Sequence, residues 1–399
     1  MTMAGSSRAP IPVVRAGAPE DAVGDLVPTK VTEPSNTEEL SLALAGATRE
    51  GETVAVRGGG TAQDWGPAPR ALDLLVDTGK LSWIDHDPGD LVVEAGAGTP
   101  VADLYAHLAG EGQRLSYDPV RTGGTVGGTV ATGASGPRRL LHGALRDLVI
   151  GMTVVRPDGV VARSGGRVVK NVAGYDLAKL HTGGYGTLGA IASVAFRLQP
   201  EPPALCLVES EYASGEEADR ALAAVRESAI VPSAVEVRAG PGSALTLQVV
   251  LEGTHEGLRP RTEEAVQALG AHAHVSRYLP SGWGHRPSKG PLAWLSLPPA
   301  ESVEAAARLG HRVRVGGCAP RGALHLSWPE GTPPEEIASV LEEVRAQPEW
   351  TAQLVRACPD SATTVDRWGQ IPGLPLMRAV KDAFDPDHRF APGRGAGGI

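Results

Sequence analysis

The chain is poor in cysteine. Cys206, Cys318 and Cys358 lie far apart and are odd in number. They are no disulfide framework, and without a C-x-x-C run they offer no thiolate set for structural zinc or an iron–sulfur cluster. That usage fits a reducing, cytoplasmic compartment. No apolar run reaches the roughly 18 residues that span a bilayer, and residues 1–10 hold no apolar core of a signal peptide. An excess of positive charge is missing too. Lys and Arg number 37 against 46 Asp and Glu, a formal net charge of −9, which repels phosphate backbones and argues against nucleic-acid binding. Aromatics make up only 4 %, so Ala, Val and Leu must fill the core. The 399 residues are enough for two or three domains.

What is abundant is glycine, with 51 residues, and proline, with 33. Residues 1–24 are rich in Ala, Gly, Pro and Ser without periodicity and read as a mobile tail. Leu26-Val27-Pro28 opens a strand in this reading. Asn36, with Glu39 three residues on, predicts a helix cap. Strands are expected over 53–57 and 91–96, with a helix capped by Thr99 after the second. The β-branched runs 149–155 and 160–163, joined through Pro157-Asp158-Gly159, predict a hairpin. A helical turn over 176–181 and a strand over 190–198 follow, and Pro200, Pro202 and Pro203 mark a boundary. Beyond it, strand-like runs (204–208, 245–251, 292–297, 323–328) alternate with helix-like ones (216–227, 261–269, 302–309, 334–345). This predicts an α+β domain with a mostly antiparallel sheet. Residues 280–290 and 358–375 read as loops, 376–384 as a last helix, and the tail from Gly393 as frayed.

Three glycine clusters carry the chemistry: 57–61, 122–136 and 183–189. Glycine lets backbone N–H groups turn inward and approach a pyrophosphate closely. One such cluster is as well explained by ordinary turns. Two of them, each following an apolar run and supplemented by the hydroxyls of Thr132 and Ser135, point to a clamp on a dinucleotide. The third contains Gly184-Tyr185-Gly186-Thr187-Leu188-Gly189, a G-x-G-x-x-G match. A helical turn precedes it and a strand follows, the reverse of the strand–turn–helix order a Rossmann site needs, so that reading is rejected.

The run Gly165-Gly166-Arg167-Val168-Val169-Lys170-Asn171-Val172-Ala173-Gly174-Tyr175-Asp176-Leu177, with Lys179-Leu180 and the third glycine cluster, resembles the signature of the FAD-binding subunit of bacterial glycolate oxidase. Ser135-Gly136-Pro137-Arg138-Arg139, Gly143, Arg146-Asp147, Phe384-Asp385-Pro386 and Pro392-Gly393-Arg394 resemble the same family. It belongs to the vanillyl-alcohol-oxidase group with a p-cresol methylhydroxylase-type FAD-binding fold. The resemblance implies an α+β protein in which two small subdomains, residues 25–200, hold the cofactor. A cap over 201–365 covers the flavin, and 366–399 return to the FAD domain. By the family pattern Arg57, Gly58, Gly59, Gly60 and Thr61 would wrap the pyrophosphate. Thr125, Val126, Gly127, Gly128, Thr132 and Ser135 would line the flavin and phosphate cleft. Gly143, Asp147 and Val149 would sit along the same wall, and Ile191 would meet the adenine through its backbone.

Covalent relatives often place a His in the first glycine loop; residues 58–62 have neither His nor Cys, so noncovalent FAD is expected. His142 and His181 read as surface or wall histidines. Catalytic relatives carry a paired-histidine, metal-binding segment in the cap. Cys318-Ala319 and Gly322-Ala323-Leu324-His325 resemble its eroded remnant, and one His with one Cys leaves a metal short of ligands. No metal site is expected and no catalytic residue is assigned. The resemblance implies a subunit that relays electrons from a catalytic, FAD-containing flavoprotein subunit to an iron–sulfur subunit, held at the inner membrane face only through those partners. The alternative is a self-sufficient FAD-dependent dehydrogenase of a hydroxy acid or alcohol, for which His325, Arg314, Arg321 and Arg356 offer a base and an anion clamp. The intact glycine loops argue against a scaffold without cofactor.

Overall fold

The computed structural model describes residues 13–167, 175–358, 361 and 364–399; residues 168–174 of the signature run lie outside these. The architecture is α+β, and among the described residues it has three large sheets and one two-stranded one, Gln113–Arg114 with Gln199–Pro200. In the first, strands Val14–Ala16, Lys30–Thr32, Leu74–Asp77 and Val54–Arg57 stand in that order, the last three parallel. Asn36 caps the helix Thr37–Glu50 by accepting from Glu39 N at 2.9 Å. Leu40, Leu44 and Ala47, one face at helical spacing, bury against Val54, Leu74 and Val76. The opening strand is Lys30–Thr32, a few residues later than the run at Leu26 suggested. Residues 14–21 are not a mobile tail. Val14–Ala16 forms an edge strand, and buried Asp21 takes hydrogen bonds from Arg15 at 2.6 and 2.8 Å and from Arg57 at 3.0 Å. A three-residue strand has no periodicity to show, so composition alone missed it.

The second sheet is antiparallel, in the order Ile84–Asp87, Val92–Gly96, Ala190–Arg197, Val149–Val155, Val161–Gly165. The expected hairpin is its edge, and its turn docks on the first subdomain: Ser41 and Thr48 hydroxyls donate to the carbonyls of Gly159 and Pro157, each at 2.6 Å. Thr99 is not the helix cap it was expected to be. Its hydroxyl accepts from Trp83 N (3.1 Å) and donates to Trp83 O (2.9 Å), and the helix Val101–Gly110 starts after Pro100 without a side-chain cap. Pro100 occupies the cap position with extended backbone instead.

The third sheet has eight antiparallel strands, ordered His274–Ser276, Ala204–Tyr212, Ser243–Gly253, Ala234–Gly240, Arg314–Cys318, Ala323–Ser327, Leu292–Ser296, Thr351–Arg356. Helices Gly215–Glu227, His255–Leu269, Ser302–Leu309 and Pro334–Arg345 cover one face in the largest apolar core. The helix expected from residue 261 begins at His255, because Thr254 caps it. The other face mixes apolar and polar side chains, and Leu292, Trp294 and Val355 on it pack against Trp65 of the FAD-binding half. Among the described residues no helix is long and apolar enough to cross a membrane.

The chain end returns to the first sheet. Val54 N donates to Arg389 O (2.9 Å) and Ala391 N to Val54 O (2.7 Å), so the segment lies along the free edge of Val54–Arg57. Lys381, on the helix Leu374–Phe384, is 1 % exposed. Its ammonium donates to Thr187 O (2.7 Å) and Phe390 O (2.8 Å) and pairs with Asp385 at 2.6 Å. The tail from Gly393 is therefore ordered rather than frayed, and Arg394 is buried. Lys381→Ala leaves the buried Asp385 carboxylate without its counter-charge. It should lower unfolding stability by about 3–5 kcal/mol, read as a drop in the urea midpoint at unchanged slope.

Candidate functional site

The first two glycine clusters meet face to face. A Cβ on Gly58 would stand 2.2 Å from Thr125 Oγ1, and one on Gly59 2.4 Å from Gly123 O. Only glycine allows this approach. The middle of the second cluster is a short helix, Val126–Thr132, whose Thr125 cap accepts from Gly128 N at 3.4 Å. Helical spacing splits it. Gly128, Ala131 and Thr132 line a narrow cleft opposite residues 58–63. Val126, Gly127 and Val130 are buried, Gly127 with Ala97 in the space a Cβ would need.

Of the residues singled out in the sequence, Gly58, Gly59, Gly60, Thr61, Thr125, Gly128 and Thr132 stand together on this cleft. Arg57 adjoins them, but its guanidinium turns to Asp21 (3.0 Å) and Asp77 (2.9 Å). Ser135 lines the next cavity and accepts from Leu145 N at 2.9 Å. Gly143 packs on Asp147, whose carboxylate accepts from Ala144 N at 2.9 Å. Val149 and Ile191 are buried in neighbouring strands of the second sheet. His142 and His181 are both buried, neither of them a surface histidine, and burial lowers each imidazole to about 4.

Two residues on the cleft had no role in the sequence reading. Tyr185, held at φ 52° with its N–H on Ala131 O (2.9 Å), lines both the cleft and the cavity beyond. Arg394 enters from the tail. Its Nη2 donates to the carbonyls of Ala62, Gln63 and Trp65 at 3.1–3.2 Å, while buried Nη1 has no partner among the described residues. Pro392-Gly393-Arg394 was noticed only as part of a resemblance, because nothing local shows that the tail folds back.

Past Tyr185 the cleft widens into a chamber of about 360 Å³ floored by the helix-free face of the eight-stranded sheet. Cross-strand register builds that floor. Glu236 pairs with Cys318, Cys318 with Ala323, Ala323 with Ser296, and Ser296 with Thr351, and all five line the chamber. Two residues along each outer strand, Trp294 and Gln353 extend it. Arg139, from the FAD-domain side, and Arg286, from the loop 280–290, close it. Glu236 is 2 % exposed, its Oε1 has no hydrogen-bond partner among the described residues, and burial pushes its carboxyl up to about 7. Burial likewise pushes the Cys318 thiol to about 12 and holds His325 neutral, well below its ordinary value. The alternation in Ala234-Val235-Glu236-Val237-Arg238 could have revealed this strand, with the two valines in the core, Glu236 on the chamber floor and Arg238 in the neighbouring cavity.

The other cap residues considered from sequence are spent or displaced. The Arg356 guanidinium donates to the carbonyls of Pro287, Ser288, Lys289 and Gly290 at 2.6–3.1 Å, so it holds the loop that carries Arg286. Arg314 and Arg321 are exposed, and Arg321 donates to Leu140 O at 3.1 Å. His325 lines a neighbouring cavity that Glu236 also borders.

A narrow glycine-walled cleft with an unpaired guanidinium nitrogen, opening into a wider chamber, fits a flat ring joined to a slender anionic chain. Comparison with known proteins agrees. Residues 28–165 match the FAD binding domain family. The chain is 42 % identical over 123 residues to the glycolate oxidase subunit GlcE of Escherichia coli, a match covering 30 % of this chain and 35 % of that one. It is 32 % identical over 206 residues to a D-lactate dehydrogenase of Archaeoglobus fulgidus, covering 52 % and 46 %. It is 29 % identical over 242 residues to the glycolate oxidase subunit GlcD of Bacillus subtilis, covering 60 % and 50 %. These matches span half the length or less of the curated relatives. Among solved structures, an alkyldihydroxyacetonephosphate synthase superposes with a TM-score of 0.69 at 14 % identity, over 92 % of this chain and 76 % of that one. The glucooligosaccharide oxidase of Acremonium strictum does so with 0.68 at 15 % identity, over 94 % and 95 %. At such identities the likeness is one of fold. Residues 28–165, with both glycine loops, thus match an FAD binding domain, and the chain as a whole shares the fold of these solved structures.

Proposed function

We propose that this chain is an FAD-dependent oxidoreductase of small hydroxy acids, working as the FAD-binding subunit of a glycolate-oxidase-like complex. The observation that carries this reading is the continuity of cleft and chamber, since Thr132 and Tyr185 line both. The backbone of residues 58–61, with Thr125 and Gly128, would hold the pyrophosphate. Thr132, Ser135, Tyr185 and Arg394 would border the ring. Gly143, Asp147 and Val149 would back that wall, and Ile191 would lie toward the adenine. Bound there, FAD supplies a two-electron acceptor. The chain's own residues position it, and the cap sheet shields the ring from water.

FAD is held without a covalent bond in this reading. No His or Cys lines the narrow cleft. Cys318, the thiol on the chamber floor, stays protonated far above neutral pH and is a poor nucleophile. Acid precipitation of the purified yellow chain should release the chromophore into the supernatant at about one FAD per chain; colour retained in the pellet means a covalent link.

The two glycolate oxidase relatives are named as subunits, and this chain has no thiolate set for an iron–sulfur centre. Both facts support electrons leaving to an iron–sulfur subunit. They would arrive either by relay from a catalytic flavoprotein subunit or directly from substrate, the reading that the chamber favours. A tagged chain expressed in its native cells should bring down a second flavoprotein and an iron-containing protein in fixed ratio. Purification alone, with flavin and without iron, would leave the stand-alone dehydrogenase.

A further inference from the structure

We infer that the chamber is this chain's own site for a small 2-hydroxy acid, with Arg286 and Arg139 receiving the carboxylate and Glu236 receiving the hydroxyl proton. The inference rests on the reading above and adds the side chains that would hold the acid and take its proton.

Three observations carry it. The first is position: Glu236, Arg286 and Arg139 line the same chamber as Thr132, Ser135 and Tyr185, the residues placed around the ring. The second is unmet bonding. Glu236 Oε1 and Arg286 Nε are buried without a partner among the described residues, a costly condition that a polar ligand would relieve. The third is charge and size. The groups facing Glu236 are Arg286, Arg238 and Arg139, opposed by Asp118, and Asp118 is engaged by Arg138. Its cross-strand neighbours, Gln248 and Cys318, are uncharged. The surplus is positive, which selects an anion, and guanidinium forks suit a carboxylate. A chamber of about 360 Å³ is of a size to take an acid of a few carbons beside a flavin ring.

The chemistry balances with the flavin as oxidant. The substrate O–H bond breaks and its proton passes to the Glu236 carboxylate. The C2–H bond breaks and its hydrogen leaves with the electron pair to the flavin, so the hydroxy acid becomes a 2-oxo acid and FAD is reduced by two electrons. Glu236 and Arg286 also line a second cavity, together with His325, His285 and Arg314. A proton taken up by Glu236 therefore has a second cavity through which to leave. The raised carboxyl of Glu236 suits a base that must pick up and release a proton near neutral pH.

The test uses the full, flavin-loaded chain. Oxalate, a diacid with no C–H bond to oxidise, is titrated in while the visible flavin band is followed. Glycolate and D-lactate are then mixed anaerobically and bleaching is timed between pH 5 and 9. The unaltered chain should shift its band with oxalate and bleach with one of the two acids, faster as pH rises through about 7. Arg286→Met should weaken oxalate at least about tenfold. Glu236→Gln should bind oxalate as well as or better than the unaltered chain, yet bleach about 100-fold more slowly and without the pH step. That split between binding and reduction is not what simple damage produces, and unchanged flavin content shows that each variant folds. A chain that holds no FAD sinks both the FAD reading and this inference. Bound FAD with no oxalate shift, no bleaching by either acid, or a Glu236→Gln variant that bleaches at the unaltered rate sinks the inference alone.

Discussion

Gly59→Asp is expected to leave the chain folded and empty of flavin. A Cβ at position 59 would lie 2.4 Å from Gly123 O, so the loop must lift off the second glycine cluster and widen the cleft. The new carboxylate also faces the place assigned to the pyrophosphate. Like charges about 4 Å apart, at the effective dielectric of a protein surface, repel by about 4 kcal/mol, a loss of roughly a thousandfold in affinity. Residue 59 is exposed and lies in no helix or strand, so the cores should survive. Gly127→Asp is the contrast. Its Cβ would meet Ala97 Cβ at 2.7 Å and Ala97 O at 3.1 Å, inside the contact between helix and sheet. That change should cost about 1–3 kcal/mol of stability from overpacking, with burial of the carboxylate added to it, and lose flavin only as the subdomain loosens. Circular dichroism and flavin absorbance on the two purified variants separate the outcomes. Native-like dichroism with full flavin in Gly59→Asp would remove the pyrophosphate from this loop.

The difference between those two glycines marks how far the sequence could be read. Glycine spacing found the cleft, because close backbone approach leaves a compositional trace that survives without structure. It did not tell Gly128 from Gly127, since that needs the helix Val126–Thr132, and a segment containing Val126-Gly127-Gly128-Thr129-Val130 has poor intrinsic helix propensity. Tertiary packing and the Thr125 cap decide it. The capped helix at Asn36 and the hairpin at Pro157-Asp158-Gly159 were legible because their signals are local. Arg394 was not, because its place depends on Lys381 and Phe390 bringing the tail back across the molecule. The chamber was missed for a related reason. Glu236, Cys318, Ser296 and Thr351 come from four strands, and only cross-strand register sets them side by side. In sequence, the strand Arg314–Cys318 carries two glycines and a charge and has almost no β signal.

Glu252→Gln is expected to loosen the cap from the FAD domain and to remove part of the acid sensitivity of the fold. Glu252 lies on the cap strand Ser243–Gly253. Its carboxylate accepts two hydrogen bonds from Arg114 at 2.8 and 2.7 Å and pairs with Arg138 at 2.8 Å. Arg138 in turn is bound to Asp118, which also accepts from Arg138 N at 2.7 Å. All four side chains are at most 14 % exposed, so this cluster is a buried electrostatic joint across the boundary that the chamber occupies. The amide keeps the shape but leaves Arg114 and Arg138 with one carboxylate between them. Breaking a buried network in this way costs about 3–5 kcal/mol. The arginine hydrogen bonds, with burial opposing them, hold the Glu252 carboxyl at about 2, below its ordinary 4.5. A depressed carboxyl contributes stability that is full above its unfolded value and is lost as pH falls from about 4.5 toward 2. The neighbouring His142 behaves differently. It is kept neutral with a value of about 4 against 6.5, so the unfolded chain binds its proton first and stability falls between about pH 6.5 and 4. Urea unfolding of the unaltered chain should therefore weaken in two stages on acidification. The Glu252→Gln variant should start lower, keep the upper stage and show a reduced lower one. Flavin fluorescence, quenched when the cap is seated, should rise in the variant before its secondary structure melts. A variant with the unaltered midpoint at pH 7 and both acid stages intact would mean that the cap is seated by its apolar contacts and that this joint contributes little.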